Sequence, residues 1–230
     1  MSIPNLHVQG WLDESNNTLI DTEIHGKNPR YWALTLAYTD DQIVAAVGEK
    51  LFATVGKAVE YIQQNPTGSH EIVMVADSRE NVTVPAGVDV TLNLNGHTLH
   101  GFSTAVTLNG TLTLVDEEDH SYDNRELAYK IGAGPAGQGT ITGSAATFGG
   151  GFVVRSGGEL IINSGNLSEC YASSGGAAIY VDGGKATMNG GKISGNLGYN
   201  GAIYVNQTRS TFILNGGKIC DNVNRSQSIY

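Results

Sequence analysis

The feature that most constrains the fold is a repeat of 26 residues in the second half of the chain. The segments SGNLSEC (164–170), GGKISGN (190–196) and GGKICDN (216–222) align, so that Leu167, Ile193 and Ile219 recur at one phase and Asn163, Asn189 and Asn215 at another. Upstream of each lies a strand-like run, Glu159–Ile162, Lys185–Met188 and Thr211–Leu214, and further upstream another, Phe152–Val154, Ala178–Val181 and Ala202–Val205. Each period therefore holds three short strands separated by Gly/Asn turns. Internal repetition at this scale is the signature of stacked units that bury one continuous core.

Alternation of period 2 assigns the faces. Phe152/Val154, Ile179/Val181 and Ile203/Val205 point one way, as do Leu160/Ile162, Ala186/Met188, Phe212/Leu214 and then Leu167, Ile193 and Ile219. The outward positions hold Glu159/Lys185/Thr211 and Asn166/Lys192/Lys218. Three strands per turn with one apolar face each predict an all-β, single-stranded parallel β-helix, whose coils pair at the ordinary strand spacing of about 4.8 Å. The rival is an antiparallel sandwich, because Asn-Gly, a strong hairpin signal, occurs at 95–96, 109–110, 189–190, 200–201 and 215–216. Stacking explains the recurrence of residue types at fixed phase; hairpins do not.

The repeat weakens upstream but continues through Val88–Leu94, Ala105–Leu108, Thr111–Val115 and Gly139–Thr142, and Ile141 stands 26 before Leu167. The irregular stretch between Asp116 and Gly139 reads as a loop inserted into one coil, with 117–138 as its span. Solenoids commonly carry binding surface in such insertions. An open solenoid end needs a cap. In TVGKAVEYIQQ (54–64), Val55, Ala58, Val59 and Ile62 fall at helical spacing behind Thr54 as N-cap, and Asn65-Pro66 ends the run. This predicts a helix plugging the N-terminal end. The expected organisation is an attachment region over 1–50 and a capped β-helix over 51–230. Ser228-Ile229-Tyr230 stands 26 after Ala202-Ile203-Tyr204, which reads as a chain cut mid-strand.

Composition narrows the functional classes. Residues 1–131 carry 18 Asp+Glu against 7 Lys+Arg, a balance of −11, and residues 132–230 carry 4 against 6, or +2, which together give the net −9. An acidic chain without a basic cluster is a poor nucleic-acid binder. No apolar stretch reaches the roughly 20 residues of a membrane helix. Cys170 and Cys220 fall at different phases two coils apart, roughly 10 Å, and are expected to be free thiols. The opening MSIPNLHVQGWLDESNN lacks the basic and apolar regions of a secretory signal.

VTLNLNGHTL (90–99), the GGAAIY and GAIYV segments and Ile-x-x-Asn at 193–196 and 219–222 resemble the pectate-lyase-like right-handed parallel β-helix superfamily. They are also similar to the repeats of polymorphic outer-membrane proteins and bacterial surface adhesins. The resemblance spans about residues 70–230; residues 1–50, with Trp11 and Trp32, lie outside it. It implies a right-handed coil and a place on a virion or extracellular surface. The superfamily includes lyases, hydrolases, phage tailspikes and non-catalytic adhesins, so it leaves function open. Tailspikes are commonly trimeric, which implies a homotrimer or larger virion assembly through residues 1–50.

Two groups are candidate sites. Tyr180, Tyr204 and Tyr230 occupy one outward position on successive coils, in line with Val153. Stacked aromatic rings suit the apolar faces of sugars, although cross-strand tyrosines also pair for stability alone. The acidic residues Asp116, Glu117, Glu118, Asp119 and Asp123 are a candidate calcium site, the one cofactor the sequence raises. A solvated loop is the competing reading. Lys130, Arg125 and Arg155 are the basic residues that lyase chemistry would draw on. The acids of the regular coils are Glu159, facing Lys185 as a surface ion pair, Glu169, and Asp182 and Asp221 in turns. His97 and His100 read as turn and surface histidines, and the Asn163/Asn189/Asn215 and Asn196/Asn222 sets as ladders satisfying turn backbone. The leading expectation is a non-catalytic phage appendage or adhesin that binds surface glycans. Against it stand a polysaccharide lyase or glycoside hydrolase acting near the 117–138 loop, and a passive spacer.

Overall fold

The phase of the sequence repeat becomes the pairing register of three sheets, parallel throughout except where Ala45–Val47 pairs antiparallel with Lys50–Phe52 and Glu71–Met74. The computed structural model describes residues 43–68, 70–123 and 131–226, and the backbone of three further strands, Val8–Asp13, Leu19–Ile20 and Tyr31–Thr35. Among the described residues the first main sheet runs, neighbour to neighbour, through Lys50–Phe52, Ala45–Val47, Glu71–Met74, Asp89–Asn93, Thr111–Val115, Glu159–Ile162, Lys185–Met188 and Thr211–Leu214. The second runs through Ser78–Arg79, Thr98–Gly101, Thr140–Gly143, Asn166–Ser168, Lys192–Ser194 and Lys218–Cys220. The third runs through Val82–Val84, Val106–Leu108, Phe152–Arg155, Ile179–Asp182 and Ile203–Asn206. Ile141 lies opposite Leu167, Leu167 opposite Ile193, and Ile193 opposite Ile219, as the repeat requires.

The strand-to-strand pairs from Glu71 onward are parallel, and successive strands enter different sheets. The Asn-Gly dipeptides therefore sit at corners between sheets, which excludes the antiparallel sandwich. At Asn95-Gly96 both residues have positive φ, 49° and 78°. That conformation, usual in a hairpin, here turns the chain from Asp89–Asn93 into Thr98–Gly101. The result is an all-β structure of parallel sheets, compatible with a parallel β-helix.

All three sheets contribute to one core. Leu92, Leu112, Leu160, Ala186 and Met188 from the first, Leu99, Ile141, Leu167 and Ile193 from the second, and Leu108, Phe152, Ile179 and Val181 from the third form a single buried cluster. The helix α1 (Val55–Gln64) adds Val55, Ala58, Val59 and Ile62 to it, and packs against Lys50–Phe52, Ala45–Val47, Glu71–Met74 and Val82–Val84. Thr54 Oγ1 accepts from Lys57 N at 3.0 Å, as an N-cap should. A second cap, invisible in the local sequence, is Glu80, whose carboxylate accepts from Val55 N at 2.7 Å and Gly56 N at 2.9 Å. A carboxylate at a helix N-terminus is favoured by both hydrogen bonding and the helix dipole.

Three features differ from the simplest reading of the repeat. A short ladder of Tyr171–Ala172, Leu197–Gly198 and Val223–Asn224 forms a further parallel sheet. In the third sheet, Phe152 pairs with Ile179 and Ile179 with Ile203, separations of 27 and 24 residues rather than 26. A shorter path into Ile203 is offset by a longer turn from Asn206 to Thr211, so the first sheet returns to phase. Finally, the last rung is open: Val205, Leu214, Ile219 and Val223 are 41%, 55%, 40% and 55% exposed, whereas their counterparts one rung back are buried or half-buried.

Candidate functional site

The outward face of the third sheet carries two adjacent columns of side chains. Residues i and i+2 of a strand share a face about 7 Å apart. The first column contains Val153, Tyr180 and Tyr204, and the second contains Arg155, Asp182 and Asn206, all in direct cross-strand register. The Tyr180 and Tyr204 rings stack with centroids 5.9 Å apart and planes 14° apart. The sequence expectation that these tyrosines share an outward line holds for this pair; Tyr230 lies outside the described residues.

The accessible rings differ from those expected. Tyr180 is only 6% exposed, because Phe148 covers it with centroids 4.8 Å apart. Phe148 is 40% exposed and Tyr204 37%, so they form the open surface, with Tyr180 as the ring between them. Phe148 lies outside the strand pattern, in the connection before Phe152–Arg155. That connection is pinned by Ser173 N to Ala146 O and Ser174 N to Thr147 O, both 3.0 Å. Gly175 lies against both rings: a Cβ there would stand 3.0 Å from Phe148 and 3.0 Å from Tyr180. The signal available in the sequence was an aromatic followed by three glycines, Phe148-Gly149-Gly150-Gly151.

The polar column is densely bonded. Arg155 Nη1 donates to Asp182 Oδ2 at 2.8 Å, and Asp182 Oδ1 accepts from Asn206 Nδ2 at 3.1 Å and Gln207 Nε2 at 2.7 Å. Asn206 Nδ2 also reaches the Tyr180 hydroxyl at 2.8 Å, tying the two columns together. Asp182 closes a strand rather than occupying a turn, which corrects the sequence reading. Gln207 has φ 71°, a left-handed backbone costly for a residue with a side chain. Its amide hydrogen bond to Asp182 helps hold it there. Burial, and then the Asp182 charge, raise the Tyr180 phenol above its ordinary value, so it stays a neutral hydroxyl.

The acidic insertion organises itself rather than opening a cluster of ligands. Asp116 accepts from Gly96 N at 2.8 Å and Gly139 N at 3.0 Å, joining the two ends of the insertion to one corner. Asp119 accepts from Ser121 N, and its own N–H donates to Asn95 Oδ1, each at 2.8 Å. Asp123 accepts from Ala133 N at 2.9 Å and pairs with His120. Glu118 lies 3.4 Å from the other His120 nitrogen, and Glu117 is exposed. Hydrogen bonding and charge from Asp123 raise the His120 pKa, and the Ala133 amide and His120 lower that of Asp123. Among the described residues no three His, Cys, Asp or Glu side chains gather as a metal centre. Arg125 and Lys130 lie outside the described residues.

Tyr122 and Ile131 from this insertion join Ile43, Ala46, Val73 and Val75 in a second apolar cluster, and the Tyr122 hydroxyl donates to Gly48 O at 2.9 Å. His97 bonds Gly132 O at 2.7 Å. It is thus a tether for the insertion, not a free turn histidine. His100 lies in the strand Thr98–Gly101 with its Nε2 buried and unpartnered, so it is not a plain surface histidine.

Two asparagine ladders run along the molecule. Asn189 Nδ2 donates to Asn163 Oδ1 at 3.0 Å and Asn215 Nδ2 to Asn189 Oδ1 at 2.8 Å. These amides bond one another, not the turn backbone as the sequence reading had it. Asn196 and Asn222 do satisfy backbone: their amides donate to Leu167 O at 2.9 Å and Ile193 O at 3.0 Å. Cys170 takes the same position one coil earlier, its thiol 3.7 Å from Ile141 O and its N–H donating to Asn196 Oδ1 at 3.0 Å. Both cysteines are free, and burial pushes the Cys170 thiol up to about 12. Glu159 pairs with Lys185 at 2.7 Å as expected, while Glu169 and Asp221 are turn residues with φ 55° each.

No protein family model matches the chain, and neither a curated protein nor a solved structure matches it.

Proposed function

We propose that the chain is a non-catalytic carbohydrate-binding module built on a right-handed parallel β-helix of the pectate-lyase-like kind. In this reading each turn carries three principal strands, α1 plugs the N-terminal end of the core, and residues 1–50 attach the module to a phage appendage or a bacterial surface. One observation carries the binding assignment: an aromatic column with two open rings, Phe148 and Tyr204, beside a polar column of Arg155, Asp182 and Asn206. A pyranose presents an apolar face and a rim of hydroxyls. Aromatic side chains supply a rigid apolar surface with a polar tip, and the planar amide, carboxylate and guanidinium groups supply hydrogen-bonding partners for the rim. The alternation of a β-strand holds Tyr204 and the polar column at fixed spacing, and the hydrogen-bonded connection holds Phe148 over Tyr180, which keeps the entropic cost of binding low.

The test is to incubate the protein with bacterial surface polysaccharides, following co-elution and polysaccharide size with and without calcium. The expected result is co-elution of wild-type protein, loss of co-elution in Tyr204→Ala, and no shortening of the chains. Shortened chains would replace this reading with the lyase or hydrolase one. Neither binding nor shortening would leave the spacer.

A further inference from the structure

We infer that the ligand of the third-sheet face is an uncharged glycan, gripped by Phe148 and Tyr204 and read by the free carbonyls of Asn206 and Gln207. This rests on the carbohydrate-binding reading and goes further by naming the charge class of the ligand.

Asp182 stands between Arg155 and Asn206 in the register, so a ligand lying along the column meets its carboxylate. Both oxygens of that carboxylate are already bonded, Arg155 on one and two amide donors on the other. The pairing also commits Arg155, whose charge is cancelled at 2.8 Å. A uronate, sialate or sulfate reaching the column would face Asp182 with the guanidinium in register beside it, Arg155, already paired. Bidentate capture of anions needs such a fork.

The capacity that remains is neutral. Among the described residues the side-chain oxygens of Asn206 and Gln207 accept no hydrogen bond. Both amides are oriented by their nitrogens, which donate to Asp182. Arg155, about half exposed, keeps N–H donors beyond the one used. Fixed acceptors beside fixed donors complement hydroxyl groups, each of which donates and accepts. The left-handed Gln207 and the longer Asn206–Thr211 turn serve the same end, because they bring a second amide onto Asp182. Arg209 lies in that turn and is exposed. This exposed cation stands two residues from Gln207 and three from Asn206 in the chain, so substituting it tests whether charge draws the ligand.

Binding of wild-type protein to a neutral polysaccharide and to a polyuronate of similar length is measured at low and high salt, alongside Phe148→Ala, Tyr204→Ala and Arg209→Gln. Unchanged far-UV and near-UV spectra establish that each variant is folded. The inference predicts binding to the neutral polymer with little salt dependence, a weakening of about fivefold or more in each aromatic variant, and no change in Arg209→Gln. Preferential binding of the polyuronate, weakened by salt and by Arg209→Gln, would overturn the inference while leaving the carbohydrate-binding reading intact. Binding of neither polymer would overturn both.

Discussion

Replacing Asn196 by alanine tests whether the buried amide ladder sustains the stacking. Asn196 is fully buried. Its Oδ1 accepts from Cys170 N at 3.0 Å, and its Nδ2 donates to Leu167 O at 2.9 Å, Ser194 O at 3.1 Å and Asn222 Oδ1 at 2.9 Å. Truncation leaves the Cys170 N–H unpaired in a dry site, at a cost of about 1–3 kcal/mol. It also removes a donor from the Leu167 and Ser194 carbonyls, at about 0.5–1.5 kcal/mol each. The expected loss is therefore about 2–6 kcal/mol. Asn222 occupies the same position one rung on and is half-buried; its Oδ1 accepts from Asn196 N at 3.1 Å and its Nδ2 donates to Ile193 O. Water reaches this more exposed rung and can take over part of that bonding, so Asn222→Ala should cost less, about 1–2 kcal/mol. Urea unfolding of both variants gives the midpoints and slopes. Amide exchange at Cys170 reports the local opening directly. Equal losses in the two variants, or an Asn196→Ala loss below about 1 kcal/mol, would refute the reasoning.

Other consequences follow from single contacts. Glu80→Ala removes two acceptors from the first turn of α1 and should lower stability by about 1–2 kcal/mol, read as a shift in the urea midpoint. Gly134→Ala would set a Cβ 2.7 Å from Gly96 O, at the contact where the insertion returns to its corner. It should destabilise by about 1–3 kcal/mol and speed proteolysis within the insertion, compared by timed digestion with wild type. His120 should titrate above its ordinary value near 6.5, and Asp123→Asn should return it toward that value in an NMR titration. Because the folded His120 pKa is raised, its contribution to stability is complete below the unfolded value and fades as pH rises through the folded one. Because that of Asp123 is lowered, its contribution is lost only as pH falls through the lowered value.

Strand positions and stacking were legible because alternation and phase are local properties that stacking repeats. Glu159–Ile162, Lys185–Met188 and Thr211–Leu214 are observed at the boundaries read from the pattern, and Thr54 caps α1 as its sequence implied. What escaped lies in connections. Phe148 belongs to no strand, and its role depends on a loop whose backbone is fixed by residues 173–176. Tyr122 meets Gly48 across 74 residues of sequence, a contact no window of the chain could display. The third-sheet separations of 27 and 24 follow from two compensating turn lengths, each unremarkable alone. The two-residue strands Tyr171–Ala172, Leu197–Gly198 and Val223–Asn224 are too short to produce an alternation. In the acidic run, the carboxylates of Asp116, Asp119 and Asp123 accept from backbone amides that only the folded insertion brings to them, contacts no local window displays.

The most direct test of the account is to map a neutral oligosaccharide onto the protein by NMR, following the aromatic ring protons and the side-chain amides through a titration. The account predicts saturable shifts at Phe148 and Tyr204, with accompanying changes at the Asn206 and Gln207 amides and none at Asp116–Asp123. Shifts centred on the acidic insertion, with the third-sheet face unperturbed, would contradict it.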